Sequence, residues 1–215
     1  MDCEMQLRSK LTIPELFMKP SKREQIAQAA MQLFIQHGYR ETSMDQIAAE
    51  ADVSKHTIYN HFQSKEGLFI ELVEQFICEQ FQPDFNFNLS DKPAVGLRRF
   101  AEAFLAKLNN PEYAAFLRLL IAESHHFPNL AQLFIRQVIG EERHSLKQYF
   151  ESHPDWHIRD PELTAYIFLS SMSSLVLFQE VMQGKSILSI EQDRLIDQLV
   201  DLVLSNSAVQ ILSPP

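Results

Sequence analysis

Glycine is scarce in this chain: five in 215 residues, at positions 38, 67, 96, 140 and 184, each isolated from the others. That excludes a glycine-rich phosphate loop and the nucleotide chemistry that depends on one. Cysteine is scarcer still. Cys3 and Cys78 lack the paired spacing of a zinc or dithiol site and are expected as reduced thiols of a cytoplasmic protein. Neither H-E-x-x-H nor G-x-S-x-G occurs, so zinc-protease and serine-hydrolase chemistry have no motif to stand on. A secretory leader is not expected, because Asp2, Glu4, Arg8, Lys10, Glu15 and Lys19 interrupt the first 20 residues. The longest uncharged run, the seventeen residues Leu163–Gln179, is shorter than the roughly 20 apolar residues of a membrane span. It also holds Thr164, Ser170, Ser171, Ser173 and Ser174, so it is expected as a buried or interface helix and no membrane contact is expected. An excess of positive charge is missing too. The net charge is −9, with residues 1–70 near balance and residues 71–215 carrying most of the deficit. A polyanion would therefore be met by the N-terminal third and repelled by the rest.

What is present is apolar and periodic. Hydrophobic residues make up 46%, with 16 phenylalanines, which favours a compact all-α protein. Residues 1–20 show no sustained period and are expected as an N-terminal arm. From Ser21 the pattern reads as about nine helices. Ser21 and Glu24 have capping-box spacing, as do Ser43 and Gln46, and Gly38 stops the first helix. Shorter helices follow over Ser43–Ala51 and Ser54–His61, then Ser64 opens a fourth that runs to about Gln80. Pro83 and "DFNFNLS" break the pattern. Helices then cover Lys92–Leu108, Pro111 to about His125, Pro128–Phe150, Pro161–Gln183 and Ile190–Leu204, three of them opened by proline at the first helical position. The expected division is an arm (1–20), a three-helix head (21–66), a helical body (67–206) and a tail (207–215).

Two short helices joined by a tight turn are the helix-turn-helix arrangement, whose second helix enters the major groove of DNA by its N-terminal end. In "SKHTIYNHF", Ile58 and Phe62 would hold that helix inward. Lys55, His56, Thr57 and Asn60 are then free to face base edges, while Tyr59 and His61 stand to the side, in reach of phosphates. Ser43 and Lys65 each sit at a helix N-terminus, where exposed N–H groups favour an anion.

Residues 22–69, "KREQIAQAAMQLFIQHGYRETSMDQIAAEADVSKHTIYNHFQSKEGLF", resemble the DNA-binding domain of the TetR/AcrR family of transcriptional regulators. The resemblance implies phosphate contacts from Thr42, Ser43, Tyr59, His61 and Lys65, and a base-reading face of Lys55, His56, Thr57 and Asn60. It departs at Asp52, where the family usually has glycine; the position is expected to need a left-handed backbone. The segment "FLRLLIAESHHFPNLAQLF", residues 116–134, resembles the ligand-domain entry of the AcrR-like branch.

By the same analogy the body binds a small hydrophobic or amphipathic effector and pairs two copies. Phe104, Phe116, Leu120, Phe134, Phe168 and Met172 are candidate cavity walls. Glu123 either pairs with Arg118 or another cation, or faces the cavity and anchors a ligand. The last two long helices resemble the family's dimer interface, with Ser170, Ser171, Ser173 and Ser174 for close approach and Leu175, Phe178, Leu195, Leu199 and Leu202 for apolar area. The implied function is a homodimeric regulator, most often a repressor, of a palindromic double-stranded DNA operator, without cofactor or catalytic residues. Two other readings stay open: a helix-turn-helix protein working through a protein partner without a ligand, and a helical di-metal enzyme built on Glu123/His126 and Glu141/His144.

Overall fold

A computed structural model describes residues 21–80 and 92–209. The N-terminal arm, Cys3, the "DFNFNLS" break and the tail beyond Val209 lie outside the described residues. Ten α-helices follow in order: α1 Lys22–His37, α2 Met44–Glu50, α3 Lys55–Phe62, α4 Lys65–Gln80, α5 Pro93–Leu108, α6 Pro111–Glu123, α7 Pro128–Phe134, α8 Glu141–Glu151, α9 Pro161–Val176 and α10 Gln192–Val209. A π-helical turn, Ile135–Gly140, joins α7 to α8 without a break, so the pair forms one rod where one helix is expected from sequence. A second π turn, Leu177–Val181, extends α9. Among the described residues there are thus nine helical rods and no strand.

The caps explain the boundaries. Ser21 accepts from the Glu24 amide while the Glu24 carboxylate accepts from the Ser21 amide, and Ser43 and Gln46 repeat the arrangement. Ser54 caps α3 through the Thr57 amide. Proline opens α5, α6, α7 and α9, where the missing N–H costs no intrahelical bond. Gly38 closes α1 at φ 82°, a conformation that a side chain would strain.

Three helices and the start of a fourth share the head's core. Ile26, Ala30 and Phe34 of α1 meet Ile47 of α2, Ile58 and Phe62 of α3, and Leu68 and Phe69 of α4, all buried. Each large side chain buried in this way contributes roughly 1.5–3 kcal/mol. The body is built around α5, α8, α9 and α10, whose Leu97, Phe100, Phe150, Phe168, Met172 and Ile196 interlock. Pro161–Val181 is long and apolar enough to cross a membrane by length and composition alone. One of its faces, however, holds Ala165, Phe168, Leu169 and Met172 in this core. Cys78 departs from expectation: it is disulfide-bonded in the structure, not a reduced thiol.

The α2–α3 turn carries Asp52 at φ 50°, the left-handed backbone that the family's usual glycine at this position implies. An L side chain is disfavoured there, and aspartate less so than most. Asp52→Gly should therefore stabilise the protein by about 0.5–1 kcal/mol. A rise in the urea midpoint at unchanged slope would show it; an unchanged midpoint would mean that the aspartate makes compensating contacts.

Candidate nucleic-acid interface

α3 has one buried edge. Ile58 and Phe62 are buried against α1 and α2, so the rest of a two-turn helix faces outward. Lys55, His56, Asn60, His61 and Tyr59 are exposed. Thr57 is half-buried, and its hydroxyl shares a hydrogen bond with the Ser54 hydroxyl at 2.8 Å. Ser43 is exposed at the start of α2, its hydroxyl donating to Gln46 Oε1 at 2.8 Å. The helix-turn-helix thus brings seven of the nine expected side chains to the protein surface.

The other two point elsewhere. Thr42 is 1% exposed, and its hydroxyl donates inward to the carbonyls of Gly38 at 2.8 Å and Leu33 at 3.2 Å. Lys65 turns its ammonium back over the α1–α2 loop. It donates to Tyr39 O and Thr42 O at 2.8 Å each and to Arg40 O at 3.3 Å, and lies over the Tyr39 ring. Burial pushes its pKa below the ordinary lysine value, against the opposing pull of Glu123 and Glu41. Lys65 serves here as a clamp on the loop that leads into α2. Lys55 is also engaged: its ammonium lies 3.0 Å from Asp45 Oδ2, and that hydrogen bond, more than any other contact, holds its pKa above the ordinary value. Nothing in the sequence pattern marks Asp45, which becomes visible only when α2 and α3 are set side by side.

The head meets the body at the end of α6. Glu123, 8% exposed, ends that helix, and its Oε2 lies 3.3 Å from His126 Nδ1, a close approach out of hydrogen-bond alignment. His126 Nε2 in turn touches the guanidinium of Arg40 in the α1–α2 loop. Around this relay Tyr39, Phe69 and Phe127 form a ring cluster with centroids 4.8–5.0 Å apart, and Phe76 of α4 stacks on Phe116 of α6 at 4.0 Å. Burial, then Glu66 and Glu123, push the Tyr39 phenol up. The side chain beside Glu123 is therefore His126 and not Arg118. Arg118 donates to the carbonyls of Glu180 and Val181 at the end of the α9 rod.

The seven residues named for the effector site, Phe104, Phe116, Leu120, Glu123, Phe134, Phe168 and Met172, are all buried. Of these only Phe168 lines a half-open groove of about 480 Å³ between α9 and α10, with Leu163, Ile167, Leu199, Leu202 and Val203 for walls and His157, Arg159 and Asp160 at the rim. Leu163, Tyr166, Ile167 and Leu202 are exposed apolar side chains on the same two helices. Leu175 and Leu199, expected on the outer face, belong to the buried set, whereas Phe178 and Leu202 are exposed. Glu141 and His144 are exposed on α8, and among the described residues no three His, Cys, Asp or Glu side chains cluster as a metal site would require.

Comparison with known proteins agrees with this architecture. Residues 26–72 match the family described as bacterial regulatory proteins, tetR family, and residues 95–206 match the AefR-like transcriptional repressor C-terminal domain. YhgD of Bacillus subtilis, an uncharacterized HTH-type transcriptional regulator, is 27% identical over 166 residues, 74% of this chain and 84% of that protein. The HTH-type transcriptional repressor DhaR of a Mycobacterium species is 30% identical over 84 residues, which is 39% of this chain and 42% of that protein. The solved structure of the flavonoid-responsive regulator FrrA superposes with a TM-score of 0.66 at 32% identity, covering 88% of this chain and 96% of that one. These are regulators, not enzymes, and the helical metalloenzyme reading falls with them. With both halves matched and a helix-turn-helix in place, the chain belongs to the tetR family of bacterial regulatory proteins.

Proposed function

We propose that the protein is a homodimeric, ligand-responsive transcriptional repressor of a palindromic operator. The observation that carries the reading is α3 itself, a helix whose every outward position bears a donor while Ile58 and Phe62 anchor it. Lys55, His56, Thr57 and Asn60 read base edges, and Ser43, Tyr59 and His61 hold phosphates. Thr42 and Lys65 act from inside, by shaping the loop that presents Ser43. Two heads at a fixed spacing on a two-fold axis match two half-sites.

The matched repressor domain and the responsiveness in FrrA's name support an effector in the body. Its candidate walls are Phe104, Phe116, Leu120, Phe134, Phe168 and Met172, with Glu123 at one end. A ligand parting these side chains would shift α6, and through Glu123, His126 and Arg40 the loop before α2. Coupling of this kind amounts to about 1–3 kcal/mol and acts equally in both directions. Fluorescence anisotropy against the DNA beside its own gene, titrated with salt and compared with an unrelated duplex, tests the reading. Tight, salt-dependent binding to the adjacent DNA alone is expected; equal, weak binding to both would overturn it.

A further inference from the structure

The head that is to grip a polyanion is not basic. Between Ser21 and Ser64 its cations are Lys22, Arg23, Arg40 and Lys55, and its carboxylates are Glu24, Glu41, Asp45, Glu50 and Asp52. Most of these cations are already engaged. Arg23 pairs with Glu71 and covers the Phe62 ring, and Arg40 rests on His126. Lys55, the one lysine or arginine on α3, is held by Asp45, whose side chain is 74% exposed on the neighbouring helix.

On unrelated DNA, binding comes almost wholly from cations that displace counterions at phosphates. A lysine already satisfied by a carboxylate 3.0 Å away gains little by exchanging it for a screened phosphate. At the operator the exchange differs. A base-edge acceptor pair in the major groove offers Lys55 directional hydrogen bonds in a desolvated setting, which outweigh an exposed ion pair.

We infer that Asp45 is a specificity-determining residue: its carboxylate withholds Lys55 from phosphates on unrelated DNA and releases it to base acceptors at the cognate site. The inference rests on the DNA-reading role of α3. It also accounts for the tolerance of a carboxylate beside DNA, since removing it would strengthen the wrong complexes more than the right one.

The test measures affinity and salt dependence on two labelled duplexes, one of unrelated sequence and one enriched from a randomised pool by the wild-type protein. Asp45→Asn should tighten binding to the unrelated duplex about 3- to 10-fold more than to the enriched one, and steepen its log–log salt slope by about one. Glu50→Gln removes the same charge from an exposed position of α2 without releasing Lys55, and should change both duplexes alike with no change in slope. In a Lys55→Gln background, Asp45→Asn should do no more than Glu50→Gln. The inference is overturned if Asp45→Asn matches Glu50→Gln on both duplexes, or if its effect survives without Lys55. A wild-type protein that enriches no sequence from the pool would overturn the DNA-reading role itself.

Discussion

Replacing Leu163 and Ile167 together by glutamate should leave the fold intact, yield a monomer in light scattering, and weaken operator binding by about a hundredfold or more. Both side chains are over half exposed, at 52% and 54%, and both line the α9–α10 groove, so neither is needed by the core of a single chain. In a two-fold interface the same patch meets itself. The substitution therefore removes four apolar side chains, each contributing roughly 1.5–3 kcal/mol when buried, and sets four carboxylates in a site that desolvates them. The DNA effect follows from connectivity. In the proposed dimer the second head would bind its half-site as an intramolecular event, and losing that linkage would sacrifice an avidity of about 10²–10⁴. A mutant that stays dimeric with unchanged binding would show that the copies pair through another face.

The second large effect is expected at Lys65. Lys65→Met keeps the aliphatic stem but orphans the carbonyls of Tyr39, Thr42 and Arg40. Hydrogen bonds from a charged donor contribute about 1.5–3 kcal/mol where buried. With this site only partly buried, a total loss of about 2–3 kcal/mol is expected, seen as a lower urea midpoint at unchanged slope. Operator affinity should fall as well, because the loop that sets Ser43 loosens. A direct phosphate contact makes the opposite forecast: unchanged stability, and a salt slope on DNA shallower by about one. Measuring both quantities on one mutant separates the two roles of this lysine.

Much of the fold is legible in the sequence because its rules are local. Capping boxes at Ser21 and Ser43 need only a spacing of three residues, and the left-handed turn at Asp52 follows from the glycine that the family usually has there. The outward face of α3 follows from Ile58 and Phe62 at helical spacing. What is not legible depends on approach through space. Lys65 is separated by more than twenty residues from the carbonyls it clamps, and Thr42 turns inward because the end of α1 passes beside it. The π turns at Ile135–Gly140 and Leu177–Val181 are changes of hydrogen-bond partner inside continuous helical rods, which residue type alone does not mark. His126 finds Arg40 because the turn after α6 meets a loop more than eighty residues earlier in the chain.

The ring cluster of Tyr39, Phe69 and Phe127 bears on how such a protein is recombined. A chimaera cut at Ser64, the obvious seam between head and body, would carry a new residue at position 39 against an old Phe69 and Phe127. All three rings touch one another at about 5 Å, so the graft would open a void or force a clash where the halves must communicate. A transplantable unit therefore includes α4 and the turn after α6. Domain shuffling that respects this border should keep an operator under the control of a foreign effector; shuffling that ignores it should keep binding and lose the response.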